Sequence, residues 1–140
     1  MSPDSQDRAN RRQNPADIPQ ELERRSAVVR ELELRIERRA PNHVVIHVAH
    51  EFVAQNRYLF DETLERLCPQ KPGARIEIDL SRVPYADSEA LGRLQSWSRR
   101  LAQSSVTFVV VNPTPYVAGI FQLLRMDTAL TIIHRHAYPA

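Results

Sequence analysis

The chain has 140 residues, 42% of them hydrophobic and 26% charged, so it is long enough to bury one core and too short to suggest two. The formal net charge is only +2, although the N-terminal part is rich in arginine. Those arginines are Arg8, Arg11, Arg12, Arg24, Arg25, Arg30, Arg35, Arg38 and Arg39. Such an arm can contact nucleic acid or an anionic membrane, but it lacks the interleaved aromatic residues that stack on bases. We therefore expect no direct binding to nucleic acid.

Cysteine usage and apolar run lengths indicate the compartment. Cys68 is the only cysteine, which excludes an intrachain disulfide and a cysteine-rich metal cage. No segment approaches the roughly 20 apolar residues that a membrane-spanning helix needs, and the first residues lack the apolar run of a secretory signal. These features predict a cytoplasmic protein without membrane insertion.

The N-terminal residues have a composition unlike the rest of the chain. Up to Pro19 they are mostly Ser, Asp, Asn, Gln, Arg and Pro, which cannot bury enough apolar surface to offset the entropy of ordering. Residues 20–29, QELERRSAVV, are compatible with a short helix. We predict a disordered or partly helical basic extension over residues 1–28, followed by one domain over residues 29–140.

The domain is predicted to open with a β-hairpin. Leu32, Leu34 and Ile36 alternate with charged residues, which favours a half-buried strand. Helical spacing remains an alternative if Val28 and Val29 are included. After the turn-like sequence Ala-Pro-Asn at 40–42, the run VVIHVAHEFV predicts a second strand, antiparallel to the first.

The remainder alternates between helix and strand. Amphipathic spacing predicts a helix that ends before Pro69, and a strand and a second helix follow on either side of residues 87–88. The residues that define these elements are Phe60, Leu64 and Leu67, then Ile76, Ile78 and Leu80, then Ala90, Leu94, Trp97 and Leu101. Right-handed crossovers would place the strands parallel at the centre of the sheet.

The C-terminal third continues the same pattern. The run VTFVVV, residues 106–111, is apolar on both faces and predicts an internal strand. Thr114 as N-cap and Pro115 as first helical residue predict a third helix, with inward side chains at Val117, Ile120, Phe121 and Leu124. The run ALTIIH, residues 129–134, predicts a last strand that closes the sheet.

Asp87 and Ser88 lie where the hydrophobic period changes from strand to helix. Asp87 is well placed as an N-cap, and Ser88 as the first residue of the helix. The Ser88 hydroxyl would then lie beside unpaired backbone N–H groups and the positive end of a helix dipole, a position that tolerates an anion. The alternative is that both are merely residue types preferred at any helix start.

The stretch IDLSRVPYADSEAL, residues 78–91, resembles the STAS domain of bacterial anti-sigma factor antagonists, and the resemblance extends over residues 31–136. In that family an aspartate-bearing strand leads through a short loop to Asp-Ser-Ser-Gly-Leu. The matching positions here are Asp79, Asp87, Ser88, Leu91 and Gly92. The departures are Glu89 for the second serine, Ala90 for the glycine, and residues 50–53, HEFV, for the family's Gly-Glu-Leu-Asp.

The resemblance implies an α/β, STAS-like mixed sheet with an antiparallel opening hairpin, parallel core strands and about three to four helices. It also implies a protein that binds an anti-sigma factor with serine-kinase activity and is released when Ser88 is phosphorylated. The predicted partner-binding residues are Asp79, Asp87, Ser88, Glu89, Leu91, Gly92 and Arg93.

Two other functions within the family stay open. One is a non-phosphorylated STAS adaptor of an ABC lipid transporter ATPase. The other is a stressosome-like scaffold that assembles through the basic N-terminal segment or its neighbouring strand. A homo-oligomer is compatible with each of them.

No other residue pattern predicts catalysis, a metal or a cofactor. His47 and His50 are three apart in a predicted strand and so would point to opposite faces, and His134 and His136 share a face without a carboxylate nearby in sequence. The two family-matched aspartates lack a general acid–base partner, and no phosphate-binding loop is present. We therefore expect a protein without enzymatic activity, cofactor or metal.

Overall fold

Five strands and three α-helices occur in residues 31–135, which are the residues described by the computed structural model and which belong to one structural unit, Glu31–Ala140. The strands are β1 (Glu33–Ala40), β2 (His43–Ala49), β3 (Arg75–Arg82), β4 (Thr107–Val111) and β5 (Thr131–Ile133). The helices are α1 (Arg57–Leu67), α2 (Ser88–Ala102) and α3 (Pro115–Leu123), with a short 3-10 helix (Met126–Thr128) before β5. None of these helices has the length and apolar character needed to cross a membrane.

The strands form one sheet in the order β1-β2-β3-β4-β5. The first two strands pair antiparallel, and every other neighbouring pair is parallel. The predicted fold class, including the opening hairpin and the parallel core, is therefore confirmed. The predictions for residues 1–28 and for His136 lie outside the described residues.

One face of the sheet carries the hydrophobic core. Because side chains alternate along a strand, every second residue of β2, β3 and β4 points toward the helices. The buried residues of this face and of the helices include Val44, Ile46, Val48, Ile76, Ile78, Leu80, Phe108, Val110, Phe60, Leu64, Leu94, Trp97 and Phe121.

A polar contact joins α1 to α2 at the edge of this core. The indole Nε1 of Trp97 donates to Oδ1 of Asp61 at 2.9 Å, and Nε of Arg93 donates to the same oxygen at 3.1 Å. The indole ring itself is buried, as its helical spacing predicted. This shared carboxylate fixes α2, and therefore the first turn of α2, relative to α1.

The opposite face of the sheet contains a buried ion-pair network centred on Glu77. Arg135 donates to both carboxylate oxygens at 2.9 Å, and Nε of Arg75 donates to one of them at 2.8 Å. Burial alone would raise the pKa of Glu77, but these charged donors outweigh it and lower the pKa from 4.5 to about 2. The network ties the residues after β5 to the central strand.

One predicted detail is wrong. Leu124, expected to point inward, is 42% exposed, because α3 ends at Leu123. The half-buried strand predicted from Leu32, Leu34 and Ile36 is β1, and because β1 is an edge strand Ile36 is 47% exposed and Leu34 is half-buried.

The Glu77 network predicts a pH-dependent stability. A carboxyl whose folded pKa lies below its unfolded value stabilises the fold above about pH 4.5, and that stabilisation is lost as the pH falls toward 2. The difference in free energy of unfolding between wild type and Glu77→Gln should therefore shrink by about 3 kcal/mol over that range. Urea titrations at pH 7, 5, 4, 3 and 2 measure it.

Glu65→Gln provides the control for that measurement. Glu65 also pairs with an arginine, Arg100, but both side chains are 56% exposed, so solvent screens the pair and the substitution should cost little stability. A Glu77→Gln difference that stayed constant from pH 7 to 3 would show that the carboxylate is not held ionised by its neighbours.

Candidate functional site

Three loops meet where the parallel strands end, and together with the start of α2 they form a surface that we call the rim. The loops are residues 50–56 after β2, residues 83–87 after β3 and residues 112–114 after β4. In α/β sheets, this carboxyl edge is where binding sites usually lie. The rim is therefore the first place to look for function.

Backbone hydrogen bonds hold the rim loops together. The amide of Phe52 donates to the carbonyl of Tyr85 at 3.0 Å, and the amide of Asp87 donates to the carbonyl of Phe52 at 3.2 Å. The hydroxyl of Thr114 donates to the carbonyl of Val83 at 2.9 Å while Thr114 also caps α3. The loops after β2, β3 and β4 are thus joined in a continuous network.

Asp87 makes two contacts with a single carboxylate. Oδ1 accepts a hydrogen bond from the amide of Ala90 at 2.9 Å, which is the N-cap contact of α2. Oδ2 accepts from the amide of Ala54 in the loop after β2 at 3.0 Å. The residue therefore caps the helix and ties a second loop to it.

Ser88 is the first residue of α2, and its side chain is exposed. Among residues 31–135 its hydroxyl has no hydrogen-bond partner, so the group is accessible and is not needed to satisfy the fold. Glu89 is exposed beside it, with its carboxylate 3.9 Å from Arg57. The backbone amides of the first turn and the helix dipole favour an anion at this position.

Two tyrosines that the sequence analysis did not single out also belong to this surface. Tyr85 lies in the loop after β3 and Tyr116 in the first turn of α3, and their ring centroids are 5.5 Å apart. They are 40% and 52% exposed. Exposed aromatic side chains are enriched in protein–protein contacts, so the pair adds exposed apolar area at the loop after β3. The sequence signal was weak because each tyrosine stands alone in a loop or helix start.

The predicted partner-binding residues fall into three locations. Asp87, Ser88 and Glu89 lie together at the start of α2. Gly92 and Arg93 lie one turn further along, half-buried, and Arg93 is engaged with α1. The remaining two, Leu91 and Asp79, lie elsewhere: Leu91 is fully buried in the core, and Asp79 is buried on the outer face of β3.

Asp79 belongs to a separate polar cluster. Its Oδ2 lies 2.6 Å from Nδ1 of His47, and Nε2 of His47 lies 2.7 Å from Oε1 of Glu37. The hydrogen bond from His47, followed by that from Arg39, lowers the pKa of Glu37. The carboxylates are 32 and 10 residues from His47 in sequence, so only the strand register that pairs His47 with Asp79 reveals the cluster.

The remaining reactive side chains give no further site within the described residues. No group of three or more His, Cys, Asp or Glu there is arranged to hold a metal ion. Cys68 is half-buried, and that burial raises the pKa of its thiol, which favours the unreactive protonated form.

The departure from the family's Gly-Glu-Leu-Asp fits the fold. His50, at the glycine position, has a φ of 80°, in the left-handed region where glycine is favoured. Its amide donates to the carbonyl of Arg82 at 3.2 Å, which holds the strained residue in place. Val53, at the aspartate position, is buried, and its amide donates to Oδ1 of Asn56 at 3.0 Å.

The comparisons with known proteins agree with this architecture. A family model described as the Mlab STAS domain matches residues 36–133, more than half of the chain. No match was found among curated proteins. The chain therefore belongs to the STAS domain family, and the resemblance drawn from residues 78–91 is confirmed.

Solved structures with the same fold are similar at low sequence identity. SpoIIAA, an anti-sigma factor antagonist in its unphosphorylated form, has a TM-score of 0.60 at 18% identity and covers 71% of this chain and 87% of its own. A Thermotoga maritima protein described as an anti-sigma factor antagonist has a TM-score of 0.59 at 23% identity, covering 75% and 87%. A Shewanella loihica protein with a SpoIIAA-like fold has a TM-score of 0.51 at 9% identity, covering 77% and 88%. At these identities the likeness establishes the fold.

The double contact of Asp87 predicts a graded loss of stability. Asp87→Ala removes both acceptors and should cost about 2 kcal/mol, the upper part of the range for a lost cap. Asp87→Asn keeps one side-chain oxygen, so it can serve only one of the two amides and should lie between wild type and alanine. Urea denaturation measures the free energies of unfolding.

Ser88→Ala is the matched control, because it changes the neighbouring residue without removing a hydrogen bond within the described residues. It should stay within about 0.5 kcal/mol of wild type. Equal stability of Asp87→Ala and Ser88→Ala would show that the cap and the Ala54 contact do not hold the rim.

Proposed function

We propose that this protein is an anti-sigma factor antagonist that binds a serine-kinase anti-sigma factor through the rim and is released when Ser88 is phosphorylated. The observation that carries the proposal is an exposed serine hydroxyl at the start of α2 that has no hydrogen-bond partner among residues 31–135, on a surface that Asp87 holds in place. The descriptions of two structural neighbours as anti-sigma factor antagonists, one of them in an unphosphorylated form, support it.

Phosphorylation at this position would leave the fold intact. A phosphate adds about −1.5 to −2 charges at pH 7, and the dipole of α2 would favour that charge by roughly 0.3–1 kcal/mol. The side chain already points into solvent, so no buried contact is broken. The effect of the phosphate would therefore be felt by a partner and not by the domain itself.

A bound partner would have to desolvate the new charge, which weakens binding. The phosphate would be placed between Asp87 and Glu89, and a partner covering the rim would have to desolvate this group of negative charges. A loss of about 3 kcal/mol weakens binding about a hundredfold. Phosphorylation of Ser88 would thus act as a switch on affinity.

The other predicted residues have distinct roles in the proposal. Glu89, Gly92 and Arg93 would extend the contact along α2, and the Tyr85–Tyr116 pair would supply apolar area beside it. Leu91 and Asp79, which are buried, would act by supporting α2 and β3 from below. The protein would act by binding, without catalysis of its own, and the cytoplasmic location stays a prediction.

A second candidate function is a constitutive STAS adaptor bound to an ABC transporter ATPase. Two observations favour it: the matching family model is that of the Mlab STAS domain, and exposed Glu89 places a permanent negative charge where the antagonist pattern has a second serine. That charge disfavours a dianion on the neighbouring residue. In this function the same rim would bind through packing alone, with Ser88 unmodified.

Incubation with ATP and the serine-kinase anti-sigma factor that the proposal requires tests the antagonist function. Intact-mass measurement should show one phosphate on wild type and none on Ser88→Ala, with Ser104→Ala, an exposed serine beyond α2, behaving like wild type. Partner affinity should fall at least tenfold on phosphorylation and persist in Ser88→Ala. Ser88→Asp adds only one charge and should weaken binding less than phosphate does.

The same variants distinguish the two functions. Equal partner binding by wild type, Ser88→Ala and Ser88→Asp, without phosphate on wild type, contradicts the switch and favours the constitutive adaptor. Glu89→Ser restores the family's second serine. If phosphorylation of Ser88 becomes faster in that variant, the resident charge of Glu89 limits the modification.

A further inference from the structure

The edge strand β1 has features that the rim does not explain. Among residues 31–135 it pairs only with β2, and no other described strand lies along its second side. It is eight residues long, and Ile36 at its centre is 47% exposed. A long exposed edge with an apolar centre is a surface on which another strand can pair.

Charges alternate in sign along one face of this strand. Glu33, Arg35, Glu37 and Arg39 share a face, because all four line the same open cavity of about 440 Å³ on the outer side of the sheet. Arg35 is exposed and makes no hydrogen bond or ion pair with any other described residue. It is therefore available for an acidic group across the edge.

We propose that β1 pairs antiparallel with β1 of a second copy of this chain, with the two-fold axis at Ile36. In that register Arg35 of each copy lies opposite Glu37 of the other, within the part of β1 whose register with β2 is regular. On the other face of the sheet the two Ile36 side chains meet. Directly opposite residues of unlike charge, or both apolar, stabilise an antiparallel pair, so the strand is complementary to itself.

The charge pattern selects this register. In a symmetric antiparallel pair, each side chain must stay on its own face of the sheet. The two neighbouring registers that meet this condition are centred on Arg35 and on Glu37. Centring on Arg35 places Glu33 opposite Glu37 and the two Arg35 side chains together. Centring on Glu37 places the two Glu37 side chains together. Both arrangements set like charges against each other, which is destabilising.

Charged residues on an edge strand often serve only to prevent association. That role needs charge but no particular order, whereas the order here makes one register attractive and its neighbours repulsive. The proposal rests on β1 alone and is independent of Ser88, so it stands or falls separately from the proposed switch.

Sedimentation velocity of the full chain over a concentration series tests the pairing. Wild type should form a dimer. In a dimer of Arg35→Glu, the new glutamate of each copy faces Glu37 of the other copy. In a dimer of Glu37→Arg, the new arginine of each copy faces Arg35 of the other copy. Each variant alone should therefore dimerise more weakly, by about tenfold or more. In an equimolar mixture of the two variants every pair is again of opposite charge, and a heterodimer should form.

Arg99→Glu is the matched control, an equal charge reversal at an exposed arginine of α2, and it should leave the dimer unchanged. Circular dichroism establishes that each variant is folded. A wild type that stays monomeric at all concentrations overturns the proposal. So does a dimer that Arg35→Glu leaves as strong as before, or a mixture of the two variants that stays monomeric.

Discussion

The carboxylate of Asp87 accepts hydrogen bonds from the amides of Ala90 and Ala54, and the geometry of the rim depends on this double contact. One oxygen caps α2 and the other fixes the loop after β2, so the helix start and the neighbouring loop are positioned by the same group. Ser88 is the next residue, so the contacts of Asp87 also fix where Ser88 lies on the rim. Because Asp87 supplies the cap, the serine hydroxyl makes no hydrogen bond within the described residues and stays accessible, as a reversible modification requires.

The two faces of the sheet have different tasks. The face of the sheet that is turned toward the helices forms the apolar core. The contacts of Asp61 with Trp97 and Arg93 attach α2 to α1 at the edge of this core. The outer face holds charges in pairs, with buried Glu77 bound by two arginines. The rim and the β1 edge are then two surfaces of one domain, one proposed to bind a regulator and the other a second copy, and they adjoin where His50 of the rim lies 3.3 Å from Glu33 of β1.

Much of the fold could be predicted because its signals are local. The change from strand to helical period at residues 87–88, the Thr114-Pro115 helix start and the antiparallel hairpin all follow from short-range patterns that the structure confirms. What the sequence did not reveal depends on tertiary context: Ile36 is exposed because, within the described residues, β1 has a neighbouring strand on one side only. The pairing of His47 with Asp79 requires the register between two strands, and the Tyr85–Tyr116 contact requires two loops to meet. The burial of Leu91 could have been predicted from helical spacing, because Leu91 lies on the same core-facing side of α2 as Ala90 and Leu94.

The central claim is that the exposed hydroxyl at the start of α2 is a phosphate acceptor on an otherwise complete binding surface. The most direct measurement is the phosphate content of the protein isolated from its own host, by intact mass and by mapping of the peptide that contains Ser88. Our account predicts two populations, one unmodified and one with a single phosphate on Ser88, whose proportions change with growth conditions. A protein that carries no phosphate under any condition, or carries it on another residue, would contradict the account.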